Sequence, residues 1–395
     1  MLSVTEASAR VRARVPRLPT EPVSIWAARG RILAAPWRAG RPLPPWTNSA
    51  MDGFACRAAD LPGELPVVGE VPAGHPRVEP VPPGAAVRIM TGAPLPPGAD
   101  TIVMFEDARA DGDRVVLPAA KLGDHVRRAG EDVAVGDVVV AAGARLDAAA
   151  LALIAALGGA EVEVGRAPRV AILSTGDELV DVATPPGPGQ IVDSSAHALA
   201  AMCRDAGAAP TYLGRVGDEL AATTAALTAA LGYDAVITTG GVSAGDHDHV
   251  RTALDGAGVE LAFWKVAMKP GKPLAFGVRG ATPVFGLPGN PVSTVIAFEL
   301  FVRPALLAMQ GAAEVDRPRA PVVLPAGYRK PAGRAHFLRA RLDRDGERLV
   351  ARLHPRQGSA MMSSMIGCHA LVEIPADAEA VAPGATVAAI LLEAR

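Results

Sequence analysis

The chain has 395 residues, half of them hydrophobic, and 39 Lys and Arg against 41 Asp and Glu leave a formal net charge of −2. That length exceeds one ordinary core and implies about two to four domains. The near balance of charge gives no case for nucleic acid or an acidic membrane surface as partner, although a local basic pocket is compatible with it.

The opening SVTEASARVRARV reads as a helix, with Ser3 as N-cap and Glu6 three residues on completing a capping box. The first 40 residues read as helical on both sides of a short polar break. The N-terminus lacks the apolar segment of a secretory signal. The apolar stretch from Ala148 to Ala160 is shorter than the about 20 residues a bilayer span needs. Cys56, Cys203 and Cys368 lie far apart without a CxxC pair, which suits reduced thiols. A soluble, cytoplasmic protein with no membrane contact is expected.

From Pro42 to Gly143 the short runs LPVVGEV, ADTIVMFED, DRVVLPA and GDVVVAAG alternate with Pro and Gly clusters, the texture of β structure rich in turns. LDAAALALIAALGGAEVEV then reads as a helix ending at Gly158-Gly159, followed by a connector. From Arg169 to about Gln310, strands alternate with helices. VAILS, TYLGRV, DAVITT, ELAFWKVAM, PLAFGV and PVFGL are the strands. One helix is capped by Ser194 or Ser195, one starts at Asp218, one covers HDHVRTALDGAG, and a long one starts at Asn290. This pattern predicts a three-layer α/β unit around a mostly parallel sheet. From Arg317 onward FLRARLD, ERLVARL and ALVEIP are β again. The expected domains are a composite N-terminal region at 1–166, an α/β domain at 167–312 and a small β domain at 317–395.

Ligands of open parallel sheets bind beyond the carboxyl ends of the strands. Four loops fall there: STGDEL, TTGGVSAGDHD, KPGKP and GLPGNP. Gly240, Gly241 and Gly245 would let backbone amides approach a phosphate, and helices starting near Asp246 and Asn290 would add dipole-oriented N–H groups. Neither GxxxxGK[ST] nor GxGxxG occurs, so an ordinary nucleoside triphosphatase or dinucleotide-binding protein is disfavoured. Lys265 and Lys269 are an even number apart, so a single strand would point both to one face. Two ammonium groups about 6 Å apart repel by roughly 3 kcal/mol at an effective dielectric of about 20, and a dianion between them would relieve this. Lys272 adds a third ammonium. Asp177, Glu178, Asp218, Asp246 and Asp248 supply hard oxygen donors suited to Mg²⁺, while Asp246 or Asp248 can equally be a plain helix N-cap. His247 and His249, two apart in a first helical turn, do not face each other as zinc ligands would. Farther upstream, NSAMDGFA, RIMTGAPLPPGAD and RRAGEDV mark Asp52, Thr91 and Asp132, residues that otherwise serve ordinary turns.

These motifs, in this order and running essentially end to end, resemble the molybdopterin molybdenumtransferases of MoeA type, related to the gephyrin E domain. The resemblance implies a discontinuous subdomain I, a β-rich subdomain II inserted at about 45–140, the α/β unit, and a C-terminal β-barrel-like domain. It also implies an elongated homodimer whose active site is shared between protomers, and contact with a molybdopterin adenylyltransferase. The implied reaction takes adenylylated molybdopterin and molybdate, requires Mg²⁺, and yields molybdenum cofactor, AMP and water. Carried over residue by residue, the catalytic set is Asp52, Thr91, Asp132, Glu178, Asp218, Asp248, Lys265 and Lys269, with Glu178, Asp218 and Asp248 as metal ligands. Substrate binding falls to Thr175, Gly176, Asp177, Gly240, Gly241, Ser243, Gly245, Lys272, Pro273, Pro288, Pro291 and Ser359, and Arg339 is a further basic partner. Phe54 stands where the family commonly has Tyr, and Ser195 where it usually has Asn. The arginines that gephyrin-related members carry near Met361 and Ile366 are missing. Adenylyl transfer to molybdopterin, or a non-catalytic gephyrin-like scaffold, are the alternatives.

Overall fold

The structure is a computed structural model that describes residues 1–241 and 250–392. The first helix, Val4–Arg12, has the expected capping box: Glu6 N–H donates to Ser3 Oγ at 3.2 Å, and Ser3 N–H donates to Glu6 Oε2 at 2.7 Å. Its buried face, Ala7 and Val11, packs into the core of the α/β unit.

The second helical segment expected in the first 40 residues is not formed. Thr20–Ser24 is a strand instead, paired antiparallel with Glu161–Gly165, the segment expected to be a connector. The reason is periodicity. Val162 and Val164 point inward between the exposed Glu161 and Glu163, and Pro22 denies its own strand a helical hydrogen bond. Trp37–Arg38 and Val138–Val140 form a second small antiparallel pair beside it. Between them lies a six-stranded lobe ordered Thr101–Met104, Gly53–Cys56, Ala86–Ile89, Gly63–Val71, Arg114–Leu117, Arg109–Asp111.

The central sheet runs Ala209–Val216, Arg169–Thr175, Ala235–Thr239, Thr282–Leu287, Ala275–Arg279, Glu260–Trp264. The first three pairings are parallel, and only Ala275–Arg279 runs against its neighbours. Alternate residues of Arg169–Thr175 enter different cores. Val170 and Ile172 pack with the helices Ser194–Asp205 and Pro291–Ala297, while Ala171 and Leu173 pack with Leu220–Ala230 and Val250–Gly256. A strand buried on both faces has no polar alternation, which is why VAILS reads as a continuous apolar run.

Several boundaries differ from expectation. The helix at 194 is capped by Asp193, whose carboxylate accepts the Ala196 N–H, and not by Ser194 or Ser195. The next helix starts at Leu220, not Asp218. The last helix is interrupted by a π-helical turn at Phe298–Val302, where the buried Glu299 pairs with Arg317 at 2.9 Å. Among the described residues, Pro291–Met309 is long and apolar enough to cross a bilayer, but 78 % of it is buried inside the protein. Lys265 and Lys269 do not share a strand. Lys265 adopts φ +76° just after Glu260–Trp264 ends, whereas Met268–Lys269 leaves the central sheet and pairs in parallel with Ala335 and His336.

That two-residue strand adjoins a closed five-stranded C-terminal barrel. Its strands are Ala335–Asp345, Arg348–Leu353, Arg319–Leu324, Ala385–Leu391 and Ala370–Ile374, the last pairing back to the first. The barrel therefore touches the α/β unit through the segment that carries Lys269.

Asp234, just before the strand Ala235–Thr239, anchors the amino end of this central strand. Arg166 donates to both its oxygens at 2.8 and 2.9 Å, and the Arg169 N–H donates at 2.8 Å. Burial alone would raise its pKa, but these donors outweigh it and hold the carboxyl at about 2, below the ordinary 3.8. A folded pKa below the unfolded one means stabilisation present above about pH 4 and lost as pH falls through about 2; the magnitude is about 2 kcal/mol. Denaturant titrations at stepped pH should show this loss in the unaltered protein and a shallower slope in Asp234→Asn. Identical slopes below pH 4 would exclude it.

Candidate active site

The carboxyl ends of the strands Arg169–Thr175, Ala235–Thr239 and Thr282–Leu287 lie side by side, so three of the Gly- and Pro-rich loops emerge together. Their backbones are tied to one another. Gly240 N–H donates to Leu287 O at 3.2 Å, Thr175 Oγ1 to Thr239 O at 3.4 Å, and both Thr239 and Thr294 hydroxyls to Pro288 O. Gly240 sits at φ +92°, and a Cβ there would come within 2.3 Å of Thr175 O. Only glycine fits this crossing.

A cavity of about 710 Å³ opens at this edge. Of the residues singled out from sequence, Thr175, Gly176, Glu178, Asp218, Gly240 and Gly241 line its strand-end side, with Pro273, Pro288 and Pro291 across from them. Leu179, Ile191 and Val192 add an apolar wall suited to a flat ring. A second cavity of about 620 Å³ adjoins it, since Pro273, Pro288 and Asn290 border both. Lys269, Lys272 and Ser359 line this second chamber. The site is thus two chambers, one carboxylate- and glycine-lined, the other cationic.

Other expected residues stand elsewhere. Asp177 does not line either chamber; its Oδ1 accepts the Asp218 N–H at 3.1 Å and so orders the loop that bears Asp218. Lys265 borders neither chamber, and its N–H donates to Leu274 O. Asp52 and Thr91 meet each other within the β lobe: the Thr91 N–H and hydroxyl both donate to Asp52 Oδ1, at 2.6 and 2.7 Å. The Thr91 N–H foremost, then its hydroxyl, keep the exposed Asp52 carboxyl below its ordinary pKa, with Arg88 adding to the effect. Asp132 is exposed on the turn after Gly130, its N–H bonded to Leu43 O. None of these three borders a chamber of its own chain. Ser243, Gly245 and Asp248 lie outside the described residues, as do Asp246, His247 and His249.

Arg339, expected as a basic partner, is buried beneath the loop that carries Ser359. Its guanidinium donates to Ser364 Oγ, Arg356 O and Gly358 O, all near 3.0 Å. It shapes the loop and does not line the cationic chamber. Ser359 O in turn accepts the Val292 N–H at 3.1 Å, joining this loop to the start of the final helix.

Asp193 and Arg334 also line the chambers and are not among the residues singled out from sequence. Asp193 is buried and accepts from Ser174 Oγ at 2.5 Å and Tyr212 Oη at 3.0 Å, besides capping its helix. Burial foremost pushes the Tyr212 phenol up to about 12; the bond to Ser174 opposes it, and the bond to Asp193 adds to it. An Asp directly before Ser194 was the available signal.

Glu178 and Asp218 border one chamber and are oxygen donors, the type Mg²⁺ prefers. Among the described residues, no group of three or more His, Cys, Asp or Glu side chains is placed to hold a metal. The chain thus brings two of the three expected ligands to one wall.

Residues 2–158 match the family model for the MoeA N-terminal region (domain I and II), 171–308 that for a probable molybdopterin binding domain, and 321–392 that for the MoeA C-terminal region (domain IV). The chain is 41 % identical over 378 residues to molybdopterin molybdenumtransferase 2 of Mycobacterium tuberculosis H37Rv, covering 92 % of each. It is 34 % identical over 404 residues to the molybdopterin molybdenumtransferase of Bacillus subtilis 168, covering 99 % of this chain and 94 % of that one. The crystal structure of the molybdopterin biosynthesis moeA protein from Pyrococcus horikoshii OT3 superposes with a TM-score of 0.86 at 31 % identity, covering 99 % of this chain and 100 % of that one.

Proposed function

The chain belongs to the MoeA family of molybdopterin molybdenumtransferases, and from that premise we infer that it inserts molybdenum from molybdate into adenylylated molybdopterin, releasing AMP. Its role lies in molybdenum cofactor biosynthesis, as a transferase acting on molybdopterin. The observation that carries the finer reading is the pair of adjoining chambers, one suited to a phosphate-bearing flat ligand and one to an oxyanion.

In the larger chamber the pterin and nucleotide rings pack on Leu179, Ile191 and Val192, and the phosphates meet the backbone at Gly176, Gly240 and Gly241. Glu178 and Asp218 would hold Mg²⁺, with Asp248 as third ligand; the ion, when bound, neutralises phosphate charge and polarises the bond to be cleaved. In the cationic chamber, Lys269 and Lys272 hold molybdate beside the shared wall at Pro273 and Pro288. Attack of a molybdate oxygen on the adenylate phosphorus would then join AMP release to formation of the molybdenum–sulfur bonds. Asp177 acts by positioning Asp218.

Asp52, Thr91 and Asp132 border no chamber in one chain, so a partner protomer would deliver them in a homodimer. Trp26, 95 % exposed, is apolar surface that such a partner would bury. Contact with a molybdopterin adenylyltransferase would pass the substrate on directly.

The test is incubation of purified protein with adenylylated molybdopterin, Mg²⁺ and molybdate. Molybdate-dependent AMP release is expected. Release that ignores molybdate, or ATP consumption with free molybdopterin, would reject the reading.

A further inference from the structure

We propose that residues 2–14 form a strap that holds the crossover from the α/β sheet to the barrel, residues 265–269, in place, and that Leu2 is a positioning residue acting through it. The kinetic consequence rests on the molybdate reading above; the strap itself does not.

The strand Glu260–Trp264 ends the order of the central sheet, so one of its sides has no neighbouring strand in that sheet. Its register with Ala275–Arg279 skips Ala262, which sits at a bulge. Arginines from the N-terminal segment reach this edge. Arg10 Nη1 donates to the Ala262 carbonyl at 3.1 Å, and Arg14 pairs with Glu260 at 2.8 Å. Charged cover of this kind guards an open sheet edge against pairing with other chains. The helix Val4–Arg12 is itself fixed, because Ala7 and Val11 are buried in the same core as Val266 and Met268.

Leu2 does more than cover the edge. It forms a parallel bridge with Val266, and the Ala267 N–H donates to the Leu2 carbonyl at 2.8 Å. The Ala267 carbonyl in turn accepts the Ala335 N–H of the barrel at 2.9 Å. Ala267 is thus spliced between the N-terminal segment and the barrel. Two residues on, Lys269 pairs with His336. That pairing is parallel and only two residues long, a weak ladder by itself. Leu2 turns the approach to it from a free edge into an inner strand, and its half-buried side chain packs against the core that includes Val266, Met268, Ala335 and Phe337.

The crossover also bonds within itself. The Val266 N–H donates to Lys272 O at 3.0 Å and the Lys265 N–H to Leu274 O at 2.9 Å. These bonds shape the loop, whereas those of Leu2 and Ala335 fix where it sits. Lys265 holds a left-handed φ of +76°, a costly conformation for a residue with a Cβ. A crossover that begins on a strained residue gains by shifting once its fastening is released.

Hydrogen exchange read residue by residue tests the strap without reference to activity. Leu2→Ser is a neutral change that puts no charge near the lysines. In it the Ala267 amide should exchange roughly tenfold faster, and the Ala335 amide, across the splice, should follow by a similar factor. Amides of Arg319–Leu324, which does not pair with Ala335–Asp345, should keep their rates. Leu2→Ile should restore both fast amides, and Leu2→Ala is a second variant should Ser not fold. In steady state, Leu2→Ser should need roughly 5- to 10-fold more molybdate for half-maximal AMP release, with the maximal rate and the requirement for adenylylated molybdopterin within about twofold. Faster exchange at Ala267 with Ala335 unchanged, or no change at either, overturns the strap. Faster exchange at both with an unaltered molybdate dependence, or a loss shared equally by both substrates, overturns the positioning role of Leu2. No molybdate-dependent AMP release by the unaltered protein would sink the molybdate reading, while the exchange rates would still decide the strap.

Discussion

Lys269→Ala protein is expected to need roughly 30- to 100-fold more molybdate for half-maximal AMP release than the unaltered protein. The ammonium is one of three cationic groups on the oxyanion chamber. Loss of one charge-assisted contact to a dianion removes about 2–3 kcal/mol. The effect should fall on the molybdate dependence and not on folding. Lys269 joins the barrel through its backbone pairing with His336, which alanine preserves. The melting temperature should therefore stay within a few degrees, and the requirement for adenylylated molybdopterin should be little changed. A large fall in melting temperature would recast Lys269 as a structural link between the α/β unit and the barrel. A molybdate dependence left as it was would remove the lysine from the oxyanion site.

What was legible beforehand, and what was not, follows the range of the interactions involved. Strands buried on both faces, such as Arg169–Thr175 and Ala235–Thr239, announce themselves as apolar runs, and the loops after them carry their own turn chemistry. The capping box at Ser3 and Glu6 is equally local. Glu161–Gly165 was read as a connector because a five-residue alternation has meaning only when its partner, Thr20–Ser24, is known. The same holds for Lys269. Its departure from the line of Lys265 depends on a two-residue pairing with Ala335 and His336, far along the chain. The left-handed φ at Lys265, which breaks the expected strand, leaves no trace in residue type, since lysine is an unusual choice for that conformation. Arg334 was invisible for a related reason. An arginine in a turn looks solvated until the barrel carries it to the chamber that Lys269 enters. Arg339 shows the converse error: a basic residue near a promising loop turned out to be buried support for that loop.

At molybdate well below saturation, co-expressed Asp52→Ala and Lys269→Ala chains are expected to recover about a quarter of the unaltered activity, although Asp52→Ala alone is expected to fall by roughly 10²-fold or more and Lys269→Ala alone by roughly 30- to 100-fold. The reasoning starts from geometry. Asp52 is held ready by two donors from Thr91, yet neither residue borders a chamber of its own chain. If a second protomer delivers them, a mixed dimer has one site with Lys269 from one chain and Asp52 from the other, both intact. Its second site lacks both. Random association makes about half the dimers mixed, and half the sites in each are whole, which yields the quarter. A site completed within one chain predicts no recovery at all, because every chain then carries a defect of its own. The two outcomes differ enough to separate by AMP release alone, provided mixed dimers are isolated with two affinity tags. Purified mixed dimers should approach half the unaltered rate. Pairing Asp52→Ala with Thr91→Ala is the internal control: both lesions sit on the same lobe, so mixed dimers of these two should leave every site damaged and recover nothing.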